Sequence, residues 1–292
     1  MHDRMPAINF LNIVASMQTL DLPTPTADEA EQSQKLCEHI KQKIAEADGW
    51  IDFEQYMQLA LYASGLGYYS GGLQKFGEQG DFITSPEVSP LFARTLARPV
   101  ASLLKKITNG RIIEFGAGSG KLAADLLQAL QVLNQLPDEY LIIELSAELQ
   151  QRQRQTIEQQ VPELSGRVRW LTRLPEKSLN AIVIANEVLD AMPVKRFLLE
   201  DHKVKLLGVE VCDNELMLSY KNADSEFTDK VNQLEINTHY TGSAYTSEVN
   251  LHIIPWIRSL SQCINQGAVY LIDYGYPRSE YYSQDRHMGT FM

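Results

Sequence analysis

The stretch Arg111-Ile112-Ile113-Glu114-Phe115-Gly116-Ala117-Gly118-Ser119-Gly120-Lys121-Leu122 decides the fold of this chain. Apolar residues and an acid lead into a Gly-x-Gly-x-Gly turn, and an apolar helical pattern follows. Glycine suits such a turn because it lets the backbone approach a ligand and adopts a positive φ without strain. The free N–H groups at the start of the next helix point at the same ligand. The stretch therefore predicts a strand, a ligand-binding loop and a helix.

Three known ligand-binding loops and an ordinary turn compete as interpretations of this stretch. A P-loop has a glycine five residues before Gly120 and a Ser or Thr after the lysine, but Phe115 and Leu122 stand there. A dinucleotide-binding loop has a third glycine where Lys121 lies. An acid two residues before Gly-x-Gly-x-Gly fits the S-adenosylmethionine (SAM) loop of Rossmann-like methyltransferases. The alternating glycines make an ordinary strand-to-helix turn the minority interpretation.

Composition and charge exclude several classes of protein. The chain has 292 residues, of which 44% are hydrophobic, and a net charge of −11. An acidic surface repels phosphate, which argues against nucleic-acid binding and favours a basic protein segment as partner. Neither the three cysteines nor the six histidines follow a metal-ligand spacing, so we predict no metal. Without a membrane-length apolar run or a signal peptide, the sequence predicts a cytoplasmic protein with no membrane insertion.

The chain divides into three predicted regions. Residues 1–27 form an arm and linker, residues 28–108 a helical substrate and lid region, and residues 109–292 the SAM-binding domain. In the second region, one helix begins near Asp28, and another follows Asp52. A loop rich in Gly, Tyr, Ser and Pro comes next, and its length predicts a functional role beyond joining two helices.

Strands and helices alternate beyond residue 109. Strands are predicted over 111–116, 140–144, 168–171, 181–185 and 268–273, and helices over 120–133, after Ser146, and over 249–265. Continuous apolar strands predict a parallel sheet with helices on both faces, which is an α/β, Rossmann-like class. The segment 203–220 predicts an inserted β-hairpin that turns at Asp213 and Asn214.

Polar side chains follow three of the predicted strands. They are Glu144 after the second strand, Asn186, Glu187 and Asp190 after the fourth, and Asp273 and Tyr274 after the fifth. Each acid alone is also explained as a solvated loop residue or a helix cap. Because ligands of parallel sheets bind at the carboxyl ends of the strands, their joint placement beside the glycine loop favours a site.

The chemistry of these acids suggests separate roles. Glu144 is placed to accept the ribose hydroxyls of an adenosyl ligand, whereas Glu114 either reaches the ligand through water or orients the loop. Glu187 and Asp190 suit a guanidinium acceptor, because carboxylates hold the cation and localise its charge away from the attacking nitrogen. Helix capping by Asp190 and loop ordering by Glu187 are an equally plausible alternative on chemistry alone.

Several blocks of the chain resemble the MidA family of SAM-dependent methyltransferases, which occurs in bacteria and mitochondria. The blocks are Gly67-Tyr68-Tyr69, Phe76-Gly77, Gly80-Asp81-Phe82-Ile83-Thr84-Ser85-Pro86-Glu87, Glu114 to Gly120, Glu144-Leu145-Ser146 and Asn186 to Pro193. The third and the last are the most diagnostic, and the resemblance covers roughly residue 35 to the end. Mitochondrial members are complex I assembly factors that symmetrically dimethylate an arginine, so the resemblance implies SAM as cofactor and a protein with an exposed arginine as substrate.

The resemblance also implies roles for individual residues. The implied catalytic residues are Asn186, Glu187 and Asp190. The implied cofactor contacts are Glu114, Gly116, Ala117, Gly118, Gly120, Glu144 and Leu145. The implied substrate and lid residues are Tyr68, Tyr69, Asp81, Phe82, Thr84, Ser85, Pro86, Glu87, Asp273 and Tyr274.

Two departures from the family pattern stand out. Ala93 lies where family members often carry glycine, and the family continues well beyond the block that ends at Thr290. We therefore expect a truncated chain whose sheet lacks its last strands, and whose activity needs its own test. The apolar edge strand left behind would favour association, which makes a homodimer a candidate assembly. A non-catalytic assembly chaperone and a nucleotide- or NAD-binding enzyme with a variant loop are the alternative functions.

Overall fold

Two five-stranded sheets, one parallel and one antiparallel, form the part of the chain that the computed structural model describes, residues 25–70, 84–201, 203–234, 236 and 244–290. The helices are α1 (Ala27–Glu46), α2 (Phe53–Tyr62), α3 (Ser85–Val88), α4 (Leu91–Leu104), α5 (Lys121–Val132), α6 (Ala147–Gln160), α7 (Ser225–Asn232), α8 (Ile253–Cys263) and α9 (Arg278–Tyr281). The strands are β1 (Trp50–Asp52), β2 (Arg111–Phe115), β3 (Tyr140–Ile143), β4 (Val168–Leu171), β5 (Leu179–Asn186), β6 (Lys195–Glu200), β7 (Lys203–Cys212), β8 (Glu215–Asn222), β9 (Ala244–Val249) and β10 (Ile264–Ile272).

The parallel sheet has the strand order β10-β5-β2-β3-β4, with β2 at its centre. Alternate residues of each strand face opposite helical layers. Ile112 and Ile182 pack against α4, α5 and α6, whereas Ile113 and Val183 face Leu260 of α8. Burial on both faces explains the continuous apolar strands in the sequence. The predicted Rossmann-like α/β fold is confirmed.

The predicted hairpin is found, and it belongs to a larger antiparallel sheet. β7 and β8 turn at Asp213 and Asn214, whose φ angles are 49° and 64°. This sheet has the order β1-β7-β6-β9, and β8 pairs with β7 beside that path. The β7–β8 hairpin was predicted from the sequence, whereas β1, β6 and β9 were not.

The two N-terminal helices pack on one face of the antiparallel sheet. Ile44 of α1 and Ile51 of β1 pack with Val209, and Phe53 of α2 packs with Leu207. A separate apolar cluster of the same sheet is formed where α7 packs against β6 and β9. The predicted capping box of α2 is present, since the Asp52 carboxylate accepts the Gln55 N–H at 2.8 Å. The domain division at residue 109 stays a prediction; α4, which precedes it, packs in the core of the parallel sheet.

The topology brings four strand ends to one rim. β2, β3, β5 and β10 run parallel, so the segments that follow them leave the sheet at the same edge. These segments include the glycine loop and most of the predicted site residues. β10 lies at the edge of the described sheet, where Val269 and Leu271 are exposed.

Candidate active site

The glycine loop, residues 116–120, joins β2 to α5 in a conformation that only glycine adopts without strain. Gly116, Gly118 and Gly120 have φ angles of 63°, 52° and 87°. A Cβ atom at Gly120 would lie 2.9 Å from Cα of Gln153, so this position also needs a residue without a side chain. Ala117 between them is buried. The loop therefore places its backbone, rather than side chains, at the rim.

Glu114 lies beneath this loop. Its carboxylate is 1% exposed and accepts a hydrogen bond of 2.7 Å from the Tyr140 hydroxyl. Burial raises the pKa of Glu114 to about 7, although the Tyr140 bond opposes the rise. The contact ties the end of β2 to β3, and the two roles that the sequence left open for Glu114 stay predictions.

Glu144 and the glycine loop are joined by a residue that the sequence analysis missed. Gln153 of α6 is fully buried, and its Nε2 donates to the Gly118 carbonyl and to Glu144 Oε2, both at 3.1 Å. Its Oε1 accepts the Trp170 indole N–H at 2.8 Å. The other Glu144 oxygen accepts the Ser146 N–H at 2.9 Å. Gln153 thus fixes the distance between the glycine loop and Glu144.

The environment of Glu144 fits a polar ligand with an apolar part. Burial raises the pKa of its carboxyl group, while the hydrogen bonds from Ser146 and Gln153 lower it. Leu145, next along the chain, is 76% exposed at the end of the strand. An acid with spare acceptor capacity beside an exposed leucine suits a ribose and its attached base.

The loop at residues 186–193 follows β5, and it is called the acceptor loop below because the sequence predicts that it holds the acceptor. Its backbone is held by Asp273, whose Oδ2 accepts the N–H groups of Leu189 and Asp190 at 3.0 and 3.3 Å. The Tyr274 hydroxyl donates to Asp190 Oδ2 at 2.6 Å. Asp273 and Tyr274 therefore contact the loop and orient it.

Glu187 occupies an unusual position in the acceptor loop. Its φ of 50° is in the left-handed region, and its N–H donates to the Ile272 carbonyl at 2.8 Å. Burial and the neighbouring Asp190 charge raise its pKa, opposed by a hydrogen bond from the Asn186 side chain. Residues with strained backbone in such settings are frequently functional. The structure thus brings the predicted residues Asn186, Glu187, Asp190 and Asp273 together.

The N-terminal region reaches the acceptor loop through tyrosines. The Tyr62 hydroxyl donates to the Ala191 carbonyl at 2.8 Å, and the Tyr62 and Tyr69 ring centroids are 5.4 Å apart. Tyr68 packs edge-on against Tyr69. Burial, and then the charges of Asp190 and Glu187, raise the pKa of Tyr69. The sequence pattern does not single out Tyr62, because this residue looks like the last apolar residue of α2.

The short helix α3 carries part of the predicted lid block. Ser119 Oγ donates to the Glu87 carboxylate, and the nearby Ser85 N–H lowers the pKa of the Glu187 carboxyl group. Pro86 is buried, and Thr84 precedes the helix at its N-cap position. Asp81 and Phe82 lie outside the described residues.

Other features of the described residues do not belong to this rim. A cavity of about 350 Å³ lies on the antiparallel sheet, and Trp50, Lys221 and Phe227 are among its lining residues. The polar side chains described above converge at the strand ends instead. Within the described ranges, no cluster of three or more His, Cys, Asp or Glu side chains could hold a metal ion, and no helix has the length and apolar character to cross a membrane.

A glycine loop after the central strand of a parallel sheet, with an acid after the neighbouring strand, is the arrangement with which class I SAM-dependent methyltransferases and dinucleotide-binding folds bind an adenosine. A family model described as "Putative S-adenosyl-L-methionine-dependent methyltransferase" matches residues 93–292, and the chain belongs to that family. SAM is the cofactor of this class.

The chain is similar to two crystal structures from Burkholderia thailandensis. One is a COG1565 superfamily member bound to S-adenosyl-homocysteine, with a TM-score of 0.85 and 43% identity; the match covers 92% of this chain and 70% of that chain. The other, a native COG1565 structure, has a TM-score of 0.82 and 42% identity, over 92% of this chain and 68% of that one. Both confirm the fold.

Curated relatives carry more specific names. The chain is 29% identical over 219 residues to "Protein arginine methyltransferase NDUFAF7 homolog, mitochondrial" of Drosophila melanogaster, over 65% of this chain and 50% of the relative. It is 30% identical over 197 residues to the NDUFAF7 protein of Mus musculus, over 58% of this chain and 44% of the relative. The chain thus spans about half the length of these relatives, and the resemblance to the MidA family is confirmed.

Proposed function

We propose that this chain transfers a methyl group from SAM to an arginine side chain of a protein. One observation carries the proposal: the glycine loop packs directly against the acid-rich acceptor loop. A Cβ atom at Gly116 would lie 3.1 Å from Cγ2 of Val188, so a cofactor on the first loop adjoins Glu187 on the second. The names of the curated relatives support arginine as the acceptor.

The residues that would hold the cofactor fit its chemistry. The glycine loop offers backbone without side chains, Glu144 offers an acceptor for the ribose hydroxyls, and Leu145 offers an exposed apolar surface. When bound, SAM supplies an electrophilic methyl group on a sulfonium ion. Gln153 keeps Glu144 in register with the loop, since it bonds both.

The acceptor loop would bind the arginine side chain and accept its proton. Glu187 and Asp190 hold the guanidinium, and Asp273 fixes the loop that carries them. As the N–C bond forms and the S–C bond breaks, the substituted nitrogen gives up a proton. The Glu187 carboxylate, whose pKa is raised by burial and by the Asp190 charge, accepts it. Tyr62, Tyr69 and Tyr274 surround these acids with rings suited to a planar cation.

The test uses SAM with an isotopically labelled methyl group. The chain is incubated with a protein extract of its own source organism, prepared from cells that lack the gene, and labelled amino acids are then identified by mass spectrometry. Labelled methylarginine is expected, and the Glu187→Gln variant should give none. Label on a different side chain would contradict arginine as the acceptor. Cofactor binding without any label would instead support a non-catalytic assembly role.

A further inference from the structure

The short helix α3 contacts both functional loops. At one end, the backbone N–H of Ser85 lies close enough to the Glu187 carboxylate in the acceptor loop to lower its pKa. At the other, the Glu87 carboxylate accepts the hydroxyl of Ser119 in the glycine loop. Ser85 and Glu87 lie two residues apart in one helical turn. Through this one short element they link the proposed positions of the cofactor and the acceptor.

Both contacts act on groups whose position they can determine. Ser119 is 7% exposed, and its Oγ also accepts the Lys121 N–H at 3.3 Å, so the Glu87 contact reaches the start of α5. The Ser119–Glu87 contact is partly buried, so little water competes for it. Glu187 has a left-handed backbone, which a non-glycine residue keeps only where its surroundings impose it.

The remaining contacts of α3 hold it in place between the two loops. Pro86 is buried, and α3 packs against α4 and α5. The loops also touch directly, since Gly116 adjoins Val188. Glu87 therefore acts within an already close contact, where a small displacement of the glycine loop is passed to Glu187.

We propose that Glu87 is a positioning residue that couples cofactor binding to the conformation of the acceptor loop. A cofactor that orders the glycine loop fixes Ser119, which holds Glu87 and, through α3, the N–H of Ser85 that orients Glu187. Because such coupling is reciprocal, an acceptor at Glu187 raises the cofactor affinity by the same factor. The inference rests on the proposed placement of the cofactor on the glycine loop.

The test measures amide hydrogen exchange in residues 186–193 with saturating S-adenosyl-homocysteine as the only ligand. In the wild type, exchange in the acceptor loop should slow by about fivefold or more on binding. Glu87→Asp keeps the charge but shortens its reach, and Ser119→Ala removes the donor. In both variants the slowing in the acceptor loop should fall below about twofold, while the glycine loop is still protected. The control is Glu226→Asp on α7, which should behave as the wild type.

Each other outcome contradicts a definite step. Calorimetric binding of S-adenosyl-homocysteine without slower exchange in the wild-type acceptor loop overturns the coupling alone. Equal slowing of exchange in the wild type and in both variants shows that the coupling does not pass through Glu87. Loss of binding in Glu87→Asp would place Glu87 in the cofactor site instead. Absence of binding in the wild type overturns the placement of the cofactor itself.

Discussion

At the scale of single residues, the buried Glu114 gives folding a defined pH dependence. Burial raises its pKa from the usual 4.5 to about 7. The folded protein therefore holds this proton more tightly than the unfolded chain does. The free energy of unfolding should fall as the pH rises from about 4.5 to about 7, by as much as ~3 kcal/mol.

The Glu114→Gln variant should remove this pH dependence. An amide stays neutral and still offers an oxygen to the Tyr140 hydroxyl, so the variant should match the wild type near pH 4.5 and be more stable at pH 8. Urea unfolding across this range measures the difference, with the exposed Glu158→Gln as control. A wild-type slope that persists in Glu114→Gln would assign the pH dependence to another group.

Glu144 is expected to carry much of the cofactor affinity. Its alanine variant loses the acceptor for the ribose hydroxyls, and the affinity for SAM should fall at least tenfold, which corresponds to about 1.4 kcal/mol. Calorimetric titration measures this loss. Glu148→Ala, at an exposed position in the first turn of α6, is the matched control. Unchanged affinity in Glu144→Ala would remove this residue from the cofactor site.

Sequence patterns identified the acids of the rim but not all of the residues that hold them. Glu144, Glu187 and Asp273 each follow a strand, and the rule for parallel sheets places strand ends together. Gln153 has no such signal, because it is one of several glutamines in a polar helix and only its contacts distinguish it. Tyr62 is likewise hidden among the apolar residues of its helix.

At the scale of elements, the pairing of β1 with β7 depends on a glycine. A Cβ atom at Gly208 would lie 2.3 Å from the Ile51 carbonyl oxygen and 2.2 Å from the Trp50 ring. Gly208→Ala should therefore force β1 away from β7 and lower the free energy of unfolding by about 1–3 kcal/mol. Denaturant titration measures the change.

The control for this variant is Gly166→Ala. A Cβ atom at Gly166 would meet nothing within 4 Å, so the substitution should change stability by less than about 0.5 kcal/mol. Equal stability of the two alanine variants would show that the β1–β7 pairing contributes little to the fold.

The strands of the parallel sheet could be predicted from the sequence. Of the antiparallel sheet, only the β7–β8 hairpin could be. Buried parallel strands such as β2 and β5 have continuous apolar runs, and the β7–β8 hairpin has turn residues at its tip. β1 has three residues, and β6 begins with Lys195 and Arg196, so neither shows a strand pattern by itself. Their pairing comes from contacts between distant parts of the chain, which local patterns do not encode.

At the scale of the whole molecule, the antiparallel sheet connects the N-terminal helices to the rim of the parallel sheet. α2 packs on β7 through Phe53 and Leu207, and its last residue, Tyr62, reaches the acceptor loop. From the other direction, α3 reaches the same loop through Ser85. The N-terminal region thus contacts the acceptor side of the rim, which is where a protein substrate would approach.

The two loops should therefore be separable by mutation, with the cofactor on one and the acceptor on the other. Glu187→Gln and Asp190→Asn keep the size of each side chain but remove its charge. Affinity for SAM should change less than about threefold, whereas methyl transfer should fall by about 10²–10³-fold, because a neutral amide neither holds the guanidinium nor accepts its proton.

Calorimetry with SAM and the initial rate of S-adenosyl-homocysteine formation give the two readouts. Glu226→Gln and Asp229→Asn, both exposed on α7, are the matched controls and should retain both properties. Loss of SAM binding in the acceptor-loop variants would assign Glu187 and Asp190 to the cofactor. Full transfer activity in both variants would leave the loop with a structural role, because a guanidinium acceptor cannot be held by this rim without its carboxylates.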